Sequence, residues 1–115
     1  MRYLSLIILL FFAVSASGQK YVGTATVYSK KYKGIPTYSG QKYDPEKISA
    51  THPWLPMGTK VKVTNLENHK SVIITINDRM SKHTGFIIDL STAAARKISA
   101  KTKGLTRVSL LVLKE

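Results

Sequence analysis

Asp78 ends the β-rich part of the run Ile74-Thr75-Ile76-Asn77-Asp78-Arg79. A carboxylate at the end of an apolar strand is costly to desolvate unless it is paired, protonated or used in chemistry. Acids are scarce in this chain, six Asp and Glu against 18 Lys and Arg, so each one invites a reason. Glycoside hydrolysis normally needs two carboxyl groups, one for the leaving oxygen and one opposite it. A single carboxyl suffices when the nucleophile belongs to the substrate itself. It can protonate the leaving oxygen and then take the proton from the internal hydroxyl. Asp78 suits that double role if burial keeps it protonated, and Arg79 opposes it if its side chain turns inward. His52, in Ala50-Thr51-His52-Pro53, is the second candidate. It reads either as an orienting or acid–base group, or as a loop histidine tied to a backbone carbonyl.

The remaining polar residues are less demanding. Asp89 precedes a helix start, where free backbone N–H groups favour a carboxylate, so it reads as structural; a second catalytic acid is the alternative. Asp44 and Glu46 flank Pro45 in a loop and read as solvated, as do His69 and His83 in turn-like segments. The histidines and carboxylates show no close ligand spacing, so no metal site and no cofactor are expected. Trp54 is the only tryptophan, between Pro53 and Pro56. It is read equally as a sugar-stacking ring and as a plug at one end of the fold. Tyr28, Tyr32, Tyr38 and Tyr43 fall in or near loops that suit a groove rim. Lys30, Lys31, Lys33, Lys42 and Lys47 make that region basic, able to guide an anionic polymer or simply to face solvent.

These residues need a scaffold of about one small domain. Met1-Arg2, the apolar run Leu4 to Val14 and the small residues Ser15 to Gly18 have the layout of a cleaved secretory signal, with cleavage after Ala16 or Gly18. The apolar run is short for a membrane span. Residues 19–115 then form the mature domain, expected to be a monomer. There is no cysteine, which excludes disulfides and an N-terminal lipid anchor on cysteine. The formal net charge of +12 points to polyanions outside the cytoplasm. None of the named DNA- or RNA-binding motifs is present, so no specific nucleic acid is expected. Five stretches read as strands: Tyr21 to Tyr28, Lys60 to Thr64, Ser71 to Ile76, Phe86 to Leu90 and Leu105 to Leu113. Ser91 caps one short helix, Thr92 to Ile98, and Gly104 follows it after a Lys-rich connector. A small closed barrel hides so many strand edges.

Read in order, the segments resemble the rare lipoprotein A (RlpA) family of bacterial lytic transglycosylases. The matching blocks begin with Gly23-Thr24-Ala25-Thr26-Val27-Tyr28 and Tyr38-Ser39-Gly40-Gln41-Lys42-Tyr43-Asp44. Ser49-Ala50-Thr51-His52, Leu55-Pro56-Met57-Gly58-Thr59 and Val61-Lys62-Val63-Thr64-Asn65-Leu66 follow. The last are Ile76-Asn77-Asp78-Arg79 and Ile88-Asp89-Leu90-Ser91-Thr92-Ala93-Ala94-Ala95. The resemblance implies a mainly β fold, a six-stranded double-psi β-barrel with one short helix. It implies cleavage of peptidoglycan glycan strands between MurNAc and GlcNAc, leaving 1,6-anhydro-MurNAc ends. The family's aspartate falls on Asp78 and its histidine on His52. Its acidic residue after Ser-Gly is here Gln41, an amide that can hydrogen-bond a sugar but cannot carry a catalytic proton. Tyr43, Trp54 and Arg79 join Gln41 as expected substrate-binding residues. A related barrel in expansins works with one aspartate and loosens polysaccharide without cutting it. A non-catalytic, wall-glycan-binding domain is therefore the alternative.

Overall fold

The computed structural model describes residues 18–101 and 105–114. Most of the expected leader, and Gly104, lie outside the described residues. Six strands close a barrel: β1 (Lys20–Val27), β2 (Ser49–His52), β3 (Lys60–Asn65), β4 (Ser71–Arg79), β5 (Ile88–Leu90) and β6 (Thr106–Val112), in the spatial order β1-β5-β2-β4-β3-β6. β1 pairs with β5, and β2 with β4, in parallel; the other four contacts are antiparallel. Closure leaves no free sheet edge, which a chain without disulfides needs for both solubility and stability.

One half of the barrel follows simple alternation. In β3, Val61 and Val63 are fully buried while Lys60 and Lys62 face water. Ile74 and Ile76 of β4, and Val108 and Leu110 of β6, meet them in the core. Each such aliphatic side chain contributes on the order of 1.5–3 kcal/mol by leaving water. Ile88 and Leu90 of β5 complete the core from the other side.

The one α-helix among the described residues, α1 (Thr92–Lys97), forms because Ser91 caps it and three alanines follow. Ser91 Oγ accepts from the Ala94 N–H at 3.2 Å and from the Ser49 N–H at 3.2 Å, so one hydroxyl both starts α1 and ties it to β2. Ala93, Ala94 and Ala95 are buried against the barrel.

Two elements depart from the sequence expectation. β2 was not among the strands read from the pattern. All four of its residues are buried, so it lacks the alternation by which an exposed-face strand is recognised. β4 runs three residues past Ile76, through Asp78 to Arg79.

Candidate active site

The extension of β4 is what aims Asp78. Ile74 and Ile76 point into the core, so strict alternation would send Asp78 inward as well. The register prevents this. Ala50 faces Ile76, but the next residue of β2, Thr51, faces Asp78, so Asn77 is an extra residue in β4. Such a bulge re-aims the side chain that follows it. The bulge is held from outside by the Ser39 N–H, which donates to the Asn77 carbonyl at 3.2 Å. Asp78 consequently joins a row across three further strands: it faces Thr51, Thr51 faces Asp89 and Asp89 faces Thr26. Asp89 lies between the buried Ile88 and Leu90 and therefore points to the outer side of β5.

Three donors converge on Asp78. The Tyr28 hydroxyl reaches Oδ2 at 3.0 Å, and the Tyr38 and Arg79 N–H groups reach Oδ1 at 2.9 and 2.8 Å. Burial, the bond to Asp78 and the charges of Asp78 and Asp89 all push the Tyr28 phenol well above its ordinary range, so it remains a donor. Tyr28 was one of several rim tyrosines in the sequence, with nothing to single it out except its place at the end of β1. Its ring also walls a cleft of about 680 Å³ lined by Lys30, Thr92, Ala95 and Arg96.

Asp89 does not cap α1; the Ser91 hydroxyl holds that position. Instead Asp89 Oδ1 accepts from Thr26 Oγ1 at 2.9 Å. Burial, and to a lesser degree the charge of Asp78, raise its carboxyl above the ordinary range, while the Thr26 bond acts in the opposite direction. Among the described residues, Glu46 and Glu67 have cationic partners, in Arg96 and Lys101, and both pairs are well exposed.

His52 is fully buried. Its Nδ1 accepts from the Trp54 and Leu55 N–H groups, both at 3.1 Å, so the ring proton resides on Nε2, which is buried without a partner among the described residues. Burial, reinforced by the charge of Arg79, lowers its pKa to about 4 and keeps the ring neutral. Its side chain makes no hydrogen bond to Asp78. It shapes the site through the backbone: Arg79 Nη1 donates to the His52 carbonyl at 3.0 Å, which fixes the guanidinium 5.6 Å from the centre of the Tyr38 ring.

The expected substrate contacts separate into two groups. Trp54 is accessible and Arg79 is half-buried. Trp54 is 45% exposed, so it does not plug the barrel; it meets Tyr21 edge-on at 5.5 Å and His52 at 4.6 Å. Gln41 is exposed on the loop that carries Tyr38, and its carbonyl accepts from the Thr37 N–H at 2.8 Å. It lines a shallow cleft with Lys33, Lys42 and Lys47. Tyr43 requires a correction, because only 3% of it is exposed and it cannot stack on a sugar in this arrangement. Its ring lies 4.3 Å from that of Tyr28 and supports the Asp78 donor from beneath. Among the described residues there is no cluster of His, Asp and Glu suited to a metal ion.

Comparison with known proteins agrees with this architecture. Residues 20–110 match the double-psi β-barrel family described as lytic transglycolase. The endolytic peptidoglycan transglycosylase RlpA of Pasteurella multocida is 46% identical over 100 residues, covering 85% of this chain and 34% of the relative. The proteins of the same name from Vibrio cholerae and Pseudomonas aeruginosa are 44% and 42% identical, covering 79% and 83% of this chain. The chain thus spans 28% to 35% of the length of these relatives. Among solved structures, the Streptomyces papain inhibitor superposes with a TM-score of 0.68 at 22% identity, covering 85% of this chain and 97% of its own. The expansin of Clavibacter michiganensis superposes with a TM-score of 0.67 at 18% identity, covering 84% and 52%; a mutant of that expansin has been solved in complex with cellohexaose. At those identities the two solved structures show the fold alone. The family match over nearly all of the barrel, with an ordered outer face around Asp78, makes this chain a member of the lytic transglycolase family.

Proposed function

We propose that the protein is an exported lytic transglycosylase that cleaves peptidoglycan glycan strands between MurNAc and GlcNAc and leaves 1,6-anhydro-MurNAc ends, in the service of wall remodelling. One observation carries the reading: the bulge at Asn77 brings Asp78 to the outer face of the barrel and surrounds it with three donors. Asp78 is the proton-handling group. In a one-carboxyl cycle it protonates the leaving oxygen and then takes the proton of the MurNAc 6-hydroxyl, whose oxygen closes on C1. The donors around it suit the second half of that cycle, in which the carboxylate accepts. In this reading Arg79 and Trp54 contact the strand, and Gln41 offers an amide to its hydroxyl or N-acetyl groups. The relatives' names support the substrate class. The basic surface suits an envelope polymer with acidic groups. The leader-like residues 1–18 support export with cleavage of the leader.

Gln41 favours a second reading. With an amide at the position where the family places an acid, the domain would bind wall glycan without cutting it. Incubating purified sacculi with the protein separates the two. Soluble fragments with anhydro ends, lighter by one water than hydrolytic products, support the enzyme. Pelleting with sacculi and no release supports the binder and overturns the enzyme.

A further inference from the structure

We propose that the outer face formed by β1, β6, β3 and the first part of β4 is a membrane-docking surface, which binds anionic phospholipid and holds the barrel at the bilayer. This goes beyond strand cleavage and does not depend on it. The register lines up one row across all four strands: Lys20 faces Leu111, Leu111 faces Lys62 and Lys62 faces Ile73. Their chain neighbours Val61, Val63, Ile74 and Leu110 point into the core, so the row points outward. Barrel strands are tilted, so a row across them climbs along the barrel and stays on one side of it. Val22 on β1 and Lys60 on β3 lie two residues from members of the row, on the same face.

The chemistry of this face has one sign. Lys20, Lys60 and Lys62 are exposed, and none has an acidic partner among the described residues. No Asp or Glu lies on β1, β3, β6 or the part of β4 before Asp78. Arg107, exposed opposite Thr24, extends the positive edge. Among these cations Val22 is 59% and Ile73 56% exposed, and Leu111 is half-buried.

The aliphatic residues decide between lipid and sugar. Sugar rings stack on aromatic faces, and the outward positions of these strands carry none. Lysines that meet phosphates, with branched aliphatics between them that enter the headgroup boundary, are the pattern of a surface lying on an anionic bilayer. Ile73 precedes Asp78 on β4 by five residues, roughly 16 Å of strand, so docking here leaves the candidate site open to the wall.

The test is co-sedimentation of residues 19–115, which hold the whole closed barrel without the apolar leader, with phosphatidylcholine vesicles and with vesicles containing phosphatidylglycerol as well. The wild type should pellet with the anionic vesicles alone. Lys20→Gln/Lys62→Gln should weaken that binding about 25-fold, since each lysine near an anionic surface strengthens it roughly fivefold. Lys82→Gln/Lys97→Gln removes the same charge from exposed positions off this face and should cost no more than about threefold. Val22→Thr/Ile73→Thr keeps strand-forming residues at exposed positions; it should weaken vesicle binding at least about fivefold and leave retention on dextran sulfate unchanged. Failure of the wild type to bind anionic vesicles overturns the proposal. Equal losses in the two lysine pairs overturn it by assigning the binding to net charge. Unchanged vesicle binding by Val22→Thr/Ile73→Thr overturns it in favour of a face for soluble polyanions. Dimerisation through this face without vesicle binding overturns it in favour of a second copy of the chain. Each of these outcomes leaves the transglycosylase reading untouched, because that reading is measured by anhydro ends.

Discussion

β3, β6 and the first part of β4 pair in unbroken antiparallel register, whereas β2, the end of β4 and β5 pair across a bulge. In the first region aliphatic and polar side chains alternate, and the face turned outward carries lysines such as Lys60 and Lys62. In the second, β2 is buried throughout, β5 has only three residues, and the outward row carries two carboxylates and two threonines, with the Tyr28 hydroxyl bonded to one of the carboxylates. The contrast teaches how a small barrel divides its labour. Regular alternation supplies apolar burial, and a single extra residue in one strand converts a buried direction into an exposed one. The site is therefore a consequence of broken alternation, supported by a region where alternation is intact.

The largest effect should come from damaging the regular region. Ile74→Ala removes a fully buried side chain between β3 and the core, and should cost about 2–5 kcal/mol in chemical denaturation. Product release per folded molecule should be unchanged. A variant that kept its stability and lost turnover would dissolve the distinction between the two regions.

His52 joins the regions, and its contribution should appear as acid sensitivity. Its folded pKa of about 4 lies below its ordinary 6.5, so the folded state binds fewer protons than the unfolded chain. Stability from this group is present above about 6.5 and is lost as pH falls toward 4, on the order of 3 kcal/mol in total. His52→Asn keeps an acceptor for the Trp54 N–H and removes the titration. Its stability should fall less steeply across that window; an equal slope in both proteins would show that other groups carry the acid loss.

A smaller effect is expected within the bulged region. Tyr28→Phe keeps the ring against Tyr43 and removes the donor to Asp78. Stability should change by no more than about 1–2 kcal/mol, and release of anhydro ends should fall roughly tenfold. Unchanged release would remove Tyr28 from the site.

Much of this was legible in the chain, and the failures have physical causes. Val61, Val63, Val108 and Leu110 were readable because each faces a core from a strand whose other face is wet. Ser91 was readable as a cap because its hydroxyl precedes a run of alanines. Asp78 stood out as an acid after an apolar run, but its direction did not, since alternation from Ile76 points it inward and a bulge leaves no composition signal. β2 gave no period at all because both of its faces are covered. Tyr43 was misplaced because membership of a motif does not distinguish touching the substrate from supporting the residue that touches it. Asp89 has the look of a cap because it lies three residues before α1, whereas the Ser91 hydroxyl already satisfies that end and the carboxylate turns to Thr26 instead.

The central claim, that the bulged face carries out non-hydrolytic cleavage through Asp78, is tested most directly by mass spectrometry of sacculi treated with the wild type beside Asp78→Asn. The account predicts soluble fragments ending in 1,6-anhydro-MurNAc from the wild type alone, with the variant folded and its release reduced by at least about a thousandfold. Equal release by both proteins, or products that have gained water, would contradict it.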